Sequence, residues 1–429
     1  MNGGQTGRQP RVTLLTLVTT RRSYAALLGG QWVSSVGNYA YTVALSWVTL
    51  SVTHSDAALG LVGAVGILAN TFSVVSGVYV DRWDRRRTMI VTDVIRGLLS
   101  AVLAVIAILH GLTLWVIVLL VLVARFSGTF FFPAAMALLP TLVEENELPR
   151  ANSLLNAGRT AAEMVGQALG GALIGLIGPA LVFLFNASTF AVSVFSLLFV
   201  RPLHPKPQPP SPTAAAIKSH PLADFWHQLV AGQAPLWSNP FLRRIVPIGM
   251  ITGFASVALG TLDVAWIRQV LHLGPFEYGL FVMATAVGAL FGSLGSGFAL
   301  DRHAPRRVAI AMLIILGGLE AILSFTPVYA PDLVIAALWG GANGLLSTTI
   351  TTVLMQSVPR EVLGRAFGAL VTLTTITAPL GALVSGVLAT AVSLHFVFLG
   401  AGVMIAAPAI GLLGLSDPPR TAKQAPGET

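Results

Sequence analysis

Long apolar stretches, separated by short polar or Gly/Pro-containing turns, run along almost the whole chain. A helix that spans a bilayer needs about 20 predominantly apolar residues. Twelve stretches of that kind occur, near 24–51, 57–80, 88–110, 112–135, 151–176 and 178–199, then near 242–266, 276–299, 307–326, 331–354, 364–391 and 394–415. Their apolar residues are continuous and do not alternate, which is the pattern of helices and not of barrel strands. The expected fold is therefore an all-α integral membrane protein of twelve transmembrane helices. The one long connection, 201–240, holds nine prolines, among them Pro205, Pro207, Pro209, Pro210 and Pro212, the composition of a stiff, extended linker. Within it Leu222, Phe225, Trp226, Leu229 and Val230 recur at helical spacing. They predict either a short amphipathic helix at the membrane surface or an apolar loop packed on the protein. The linker divides the chain into a tail (1–23), a six-helix bundle (24–200), the linker itself (201–240), a second six-helix bundle (241–415) and a tail (416–429).

Composition supports a lipid-embedded chain, with 55% hydrophobic and only 10% charged residues and a mean hydropathy of +0.79. Soluble domains carry roughly a quarter charged residues. The first apolar run is longer than a signal-peptide core and is followed by no small-residue cleavage site, so an uncleaved first span is expected. Lys and Arg gather in cytoplasmic loops of membrane proteins. With the N-terminus inside, nearly all of the 25 Lys and Arg fall in cytoplasmic tails, loops or the adjoining helix ends. Arg125, within a span, and Arg268, outside, are the exceptions. Both termini are accordingly expected in the cytoplasm, with the chain in the inner membrane. The net charge of +8 follows the membrane side and does not point to nucleic acid.

Several chemistries are excluded. The chain has no cysteine, hence no disulfide, thiolate metal site or Cys nucleophile. Its eight histidines are scattered without metal-ligand spacing, so no metal is expected. No G-x-x-x-x-G-K-[ST] phosphate loop occurs, so nucleotide is not the energy source, and no cofactor is implied. A membrane enzyme would need clustered His, Asp or Ser at one membrane face, and a sensor a soluble signalling domain. The sequence offers neither.

Two internal echoes carry more information. The loop after the second span, Gly77 to Arg87 with Asp81, Arg82, Arg86 and Arg87, and the loop after the eighth, Gly297 to Arg307 with Asp301, Arg302, Arg306 and Arg307, share G-x-x-x-D-R-x-x-x-R-R at an offset of 301 − 81 = 220. Leu148-Pro149-Arg150-Ala151 and Leu363-Gly364-Arg365-Ala366 repeat at an offset of 215 before the fifth and eleventh spans. Such repeats point to structural duplication. On these motifs the chain resembles the major facilitator superfamily, from about Tyr24 to Leu415. Phe132-Pro133-Ala134, Leu139-Pro140, Ala151-Asn152-Ser153-Leu154, the segment Asp224 to Gly232 and Asn239-Pro240-Phe241-Leu242-Arg243 are similar to its bacterial exporter branch of enterobactin-exporter-like and macrolide-efflux-like proteins. The resemblance implies two pseudo-symmetric six-helix bundles. It also implies an inner gate in which Asp81 faces the start of the eleventh span near Gly364-Arg365, and Asp301 the start of the fifth near Pro149-Arg150. A carboxylate is stabilised there by the positive end of a helix.

A charge at the bilayer centre costs at least about 2.5–3.5 kcal/mol and so marks partnering or function. Arg125, Arg159, Glu163 and Glu320 stand out. Glu163 lies roughly 16 Å into its helix at 1.5 Å per residue, near the midplane, with Arg159 one turn below at pairing distance. The resemblance implies that an Arg in the fourth span takes part in proton coupling, although Arg125-Phe-Ser-Gly128 lacks the usual Gln before Gly. It also implies a Gly-Pro-x-x-Gly-Gly element in the fifth span. That element reads Gly166-Gln167-Ala168-Leu169-Gly170-Gly171 here, with Gln for Pro, and its glycines permit close helix approach. Glu163 is expected either to take up the coupling proton, with Arg125 or Arg159 tuning it, or to form a permanent pair with Arg159. Glu320, in a helix that the resemblance places on the periphery, is expected either in a packing role or as a carboxyl protonated at rest, and Asp263 at a solvated outer helix end or facing cationic cargo there. Asn38, Tyr39, Asn70, Asn343 and Asp263, with Trp47 and Phe72, are candidate cavity lining. The resemblance as a whole implies a monomeric, proton-coupled exporter of hydrophobic or amphipathic small molecules such as drugs, macrolides or siderophores. An importer of a metabolite on the same fold is the alternative.

Overall fold

The computed structural model describes residues 14–71, 76, 80, 83–203 and 236–414, and its regular structure there is helical throughout. The linker helix expected around Leu222 to Val230, Phe72, and the loop residues Gly77, Asp81 and Arg82 lie outside the described residues, as does the side chain of Asn70. A short helix, Leu14–Thr20, precedes the main elements. These are α1 (Arg22–Thr53), α2 (Asp56–Thr71), α3 (Arg85–Ile108), α4 (Leu114–Gly128, continued by Phe131–Leu138), α5 (Leu148–Ile177) and α6 (Pro179–Leu198). After the linker come α7 (Pro240–Ala265), α8 (Pro275–Arg302), α9 (Pro305–Phe325), α10 (Tyr329–Ser357), α11 (Arg360–Thr375, continued by Ala378–Ala391) and α12 (Leu394–Ala406, ending in a 3-10 turn). Among the described residues ten helices are long and apolar enough to cross a bilayer, α3 to α12. The 32-residue α1 is long enough but less apolar, because Gln31, Asn38, Tyr39, Thr42 and Ser46 interrupt it.

Local sequence explains where helices begin and end. Asp84, Thr113 and Asn239 cap α3, α4 and α7 by accepting from backbone N–H groups of the first turn, the usual role of short polar side chains there. Pro179, Pro240, Pro275 and Pro305 open their helices, where the missing N–H has no cost. His54, His110 and His272 take positive φ of 50° to 55° at three turns, an uncommon conformation outside Gly. His54 and His272 follow α1 and α7, so this turn too is repeated.

Packing obeys the same repeat. α1 packs on α5 and α6, α3 on α6, and α2 on α4. Six helices later α7 packs on α11 and α12, α9 on α12, and α8 on α10. Between these two groups α5 crosses α8, and α2 crosses α11. Both crossings depend on glycine. A Cβ on Gly171 would come within 2.5 Å of the Pro275 carbonyl and 2.8 Å of Gly279 Cα, and one on Gly60 within 2.4 Å of the Ala382 carbonyl, beside Gly386. These four glycines are themselves repeat-related, at 279 − 60 = 219 and 386 − 171 = 215.

Both crossings lie toward the end of the molecule remote from the Arg-rich loops. There Arg268 donates to Ser51 Oγ at 2.6 Å and lies over the Trp47 ring, and Gln269 donates to Asp56 Oδ1 at 2.8 Å. Each of these contacts joins one helix group to the other. At the basic end the following bonds each join residues of one group. Arg21 is clamped by Glu147 and Glu144, which push the pKa of its guanidinium up. The Tyr24 hydroxyl donates to the Ala151 carbonyl at 2.8 Å, Arg86 donates to the Leu197 and Leu198 carbonyls, and Arg244 to that of Gly411.

Candidate functional site

Between the two helix groups lies a cavity of about 450 Å³, within the range of small-molecule sites. α1 contributes Thr42 and Ser46, and α5 contributes Glu163 and Gln167. α7 to α10 contribute Asp263, Tyr278, Phe281, Glu320, Trp339 and Asn343, and α12 contributes Phe398. Three carboxyl groups therefore face one space, and neither Lys nor Arg is among its lining residues. Several lining atoms are buried and unpartnered, namely Gln167 Oε1, Glu320 Oε2 and Trp339 Nε1. Buried polar atoms are costly when unpaired, so the wall is complementary to a ligand with polar or cationic groups.

Two of these acids stand elsewhere than the sequence suggested. Asp263 is not at a solvated helix end. α7 runs on through a π turn, Trp266–Val270, which draws Asp263 about two turns inside. The turn is held by Trp266, wholly buried, whose Nε1 donates to Asp332 Oδ2 at 2.9 Å and whose ring meets His395 and Phe398. Glu320 is not peripheral either. Its backbone is held close to Gly402 of α12, where a Cβ would fall 2.9 Å from the Glu320 Cβ. Its carboxyl reaches the cavity wall.

Glu163 lies near the middle of α5 and forms no ion pair with Arg159, so the i, i+4 spacing is not closed into a permanent bridge. Arg159 is exposed, with its guanidinium over the Phe132 ring at 5.8 Å. Tyr39 approaches both Glu163 and Arg159. It is seated there because Gly166 lets α5 approach α1 until a Cβ would stand 2.8 Å from the Tyr39 Cβ. Gly170 packs on Ala40 in the same way, and Gly171 faces α8 instead.

Arg125 is not beside Glu163. It lines a separate side pocket of about 130 Å³, with Asn38, Tyr41, Thr42, Ser100 and Asn186, and with Arg96 of α3. Thr42 lines both spaces. Arg96 and its partner Asp93 are absent from the sequence-derived set. Asp93 is fully buried and accepts from Ser193 Oγ at 2.6 Å, and Arg96 donates to Asn38 Oδ1 at 2.8 Å, with its Nη1 3.7 Å from Asp93 Oδ1. The signal was an Asp-x-x-Arg pair eight residues into α3, obscured by the basic loop just before it. In the second loop motif, Gly297 has open space around it. Asp301, Arg302 and Arg307 are exposed, and Arg302 lies over Phe298. No hydrogen bond ties Asp301 to the start of α5 in this conformation. Arg86 and Arg87 sit at the start of α3, the latter exposed.

The sequence model of transmembrane secretion effectors matches residues 20–426. The chain belongs to that family of major facilitator transporters. Its relatives are transporters and not enzymes. It is 27% identical over 389 residues to the multidrug efflux pump Tap of Mycolicibacterium fortuitum, covering 88% of this chain and 90% of that protein. It is likewise 27% identical over 367 residues to the enterobactin exporter EntS of Citrobacter koseri, covering 84% of each. The fold matches the nucleoside transporter NupG with a TM-score of 0.70 at 14% identity, over 92% of this chain and all of that one. It also matches an inward-facing bacterial homologue of ferroportin at 0.67 and 18% identity, over 91% of this chain and 98% of that one. The transporter is thus a multi-pass membrane protein that handles a small-molecule substrate.

Proposed function

We propose that the transporter exports cationic amphipathic small molecules across the inner membrane in exchange for protons, both termini lying in the cytoplasm and the 201–240 linker joining two six-helix bundles. The observation that carries this reading is the acid-lined, aromatic-walled cavity. Glu163, Asp263 and Glu320 face a space with no basic counter-charge in its lining, beside Tyr278, Phe281, Trp339 and Phe398. Carboxylates attract a cation, and ring faces add to that attraction once water is excluded. Where no cation is bound, a proton can occupy the same carboxyl groups. Cargo and protons therefore compete for the same charges, which is the condition for exchange. Glu163, between the two helix groups and beside Tyr39, is the group we assign to the coupling proton, with Arg159 as its charged neighbour. The names of Tap and EntS support the outward direction. On the proposed topology the contacts between the bundles close the outer side, and the cavity faces the cytoplasm to load.

Inverted vesicles test the whole reading. Ethidium, a fluorescent lipophilic cation, is expected to accumulate when the lumen is made acidic and to leak back on addition of an uncoupler. Accumulation driven by the opposite gradient would make the protein an importer, and no response to any cation would reject cationic cargo.

A further inference from the structure

The side pocket has the opposite character to the main cavity. Arg96 and Arg125 each lie about eleven residues from the nearer end of their apolar helix, roughly 16 Å deep at 1.5 Å per residue. Each side chain ends in a planar guanidinium with five N–H donors. One carboxylate, Asp93, stands against the two, and it is already engaged by Ser193. Arg96 spends one donor on Asn38 and rests its face 4.5 Å from the Phe190 ring centroid. Arg125 has five N–H donors, yet its one hydrogen bond among the described residues is a 3.4 Å contact to Thr42 Oγ1. One positive charge at mid-membrane depth is thus left without a counter-charge. The walls between the two arginines are hydrogen-bonding groups, Asn38, Tyr41, Thr42, Ser100 and Asn186. The space, about 130 Å³, equals roughly four waters at about 30 Å³ each. It is too small for a drug-sized molecule and sufficient for one small anion with a water or two.

We propose that this side pocket binds a small monovalent anion between Arg96 and Arg125, either a free halide or a carboxylate carried by the cargo. Because Thr42 borders both spaces, an anion there sits next to the cargo cavity. It would place a negative group on one side of the cavity mouth and the three acids on the other, and a zwitterionic cargo would fit that layout end to end. The proposal does not depend on the direction of transport or on proton coupling.

Binding is read directly on the purified full chain in detergent, by thermal unfolding as sodium chloride or sodium benzoate replaces sodium gluconate at constant ionic strength. Gluconate, a bulky and strongly hydrated anion, serves as the reference, and the same titration of Arg125→Gln separates binding in the pocket from any general salt effect. A ligand that binds only the folded state stabilises it in a saturable way. Saturable stabilisation is expected, with the apparent affinity at least tenfold weaker in Arg125→Gln and in Arg96→Gln, and partly kept in Arg125→Lys. Chloride alone acting would identify a free-halide site, and benzoate alone or acting more strongly would identify an acidic group of the cargo. Should Arg96→Gln fail to fold, Arg125→Gln, which removes only the weak Thr42 contact, decides by itself. No shift beyond gluconate with either anion, or an undiminished shift in Arg125→Gln, would overturn the proposal.

Discussion

At the scale of single residues, what separates a functional charge from a structural one is whether its partners are complete. Arg21, held by two carboxylates, is satisfied in place. Glu163, Asp263 and Glu320 are not. The place of Glu163 near the middle of its helix was legible because it stands twelve residues into the apolar run 151–176. Asp263 was legible as a cavity-lining candidate but its depth was not, since that depends on a π turn, and the position of Glu320 depends on which helix face meets Gly402. Glu163→Gln is expected to abolish proton-driven accumulation while leaving exchange of labelled for unlabelled cargo without a gradient, because a neutral amide binds but cannot carry a proton. Equal loss of both activities would reassign Glu163 to cargo binding. Trp266→Phe is expected to lower stability by about 1–3 kcal/mol, the cost of leaving the buried Asp332 carboxylate without its donor. Chemical unfolding in detergent measures it, and an unchanged midpoint would show that Asp332 finds another partner.

At the scale of elements, the glycines decide how closely helices approach. The sequence predicted a packing role for Gly166, Gly170 and Gly171, and they prove to serve two different neighbours, α1 for the first two and α8 for the third. A sequence shows that a helix has a small-residue face without showing which partner arrives there. Gly60, Gly279 and Gly386 escaped notice because no motif flagged them, although their offsets match the repeat. Since helix backbones meet at these points, a methyl group must push them apart. Gly171→Ala is therefore expected to weaken closure at the end remote from the Arg-rich loops and to shift the population toward the opposite conformation. The native chain has no cysteine, so one introduced pair across α5 and α8, spin-labelled, reports the distance without background. An unchanged distance distribution would show that the crossing does not limit closure.

At the scale of the whole molecule, two sets of six helices repeat the same neighbours and touch across pseudo-equivalent crossings, α5 with α8 and α2 with α11. Among the described residues these crossings lie toward the end remote from the Arg-rich loops. Asp301 is exposed here, and we propose that it meets the start of α5 when the two helix groups move relative to each other. Asp301→Asn is then expected to insert normally and to transport several-fold more slowly, since a charge facing a helix N-terminus contributes about 0.3–2 kcal/mol. Normal transport by a normally inserted variant would leave the motif a purely topogenic role. The sequence alone determined that the chain lies in the membrane, that it is helical, that it repeats and that its basic residues gather in the repeated loops. Each of these follows from hydrophobic length and charge placement, which are properties of segments. Only the tertiary structure decided which polar side chains share a cavity, and that Arg125 belongs with Arg96 and not with Glu163. Those facts depend on helix rotation and crossing, and these are set by contacts between segments far apart in the chain.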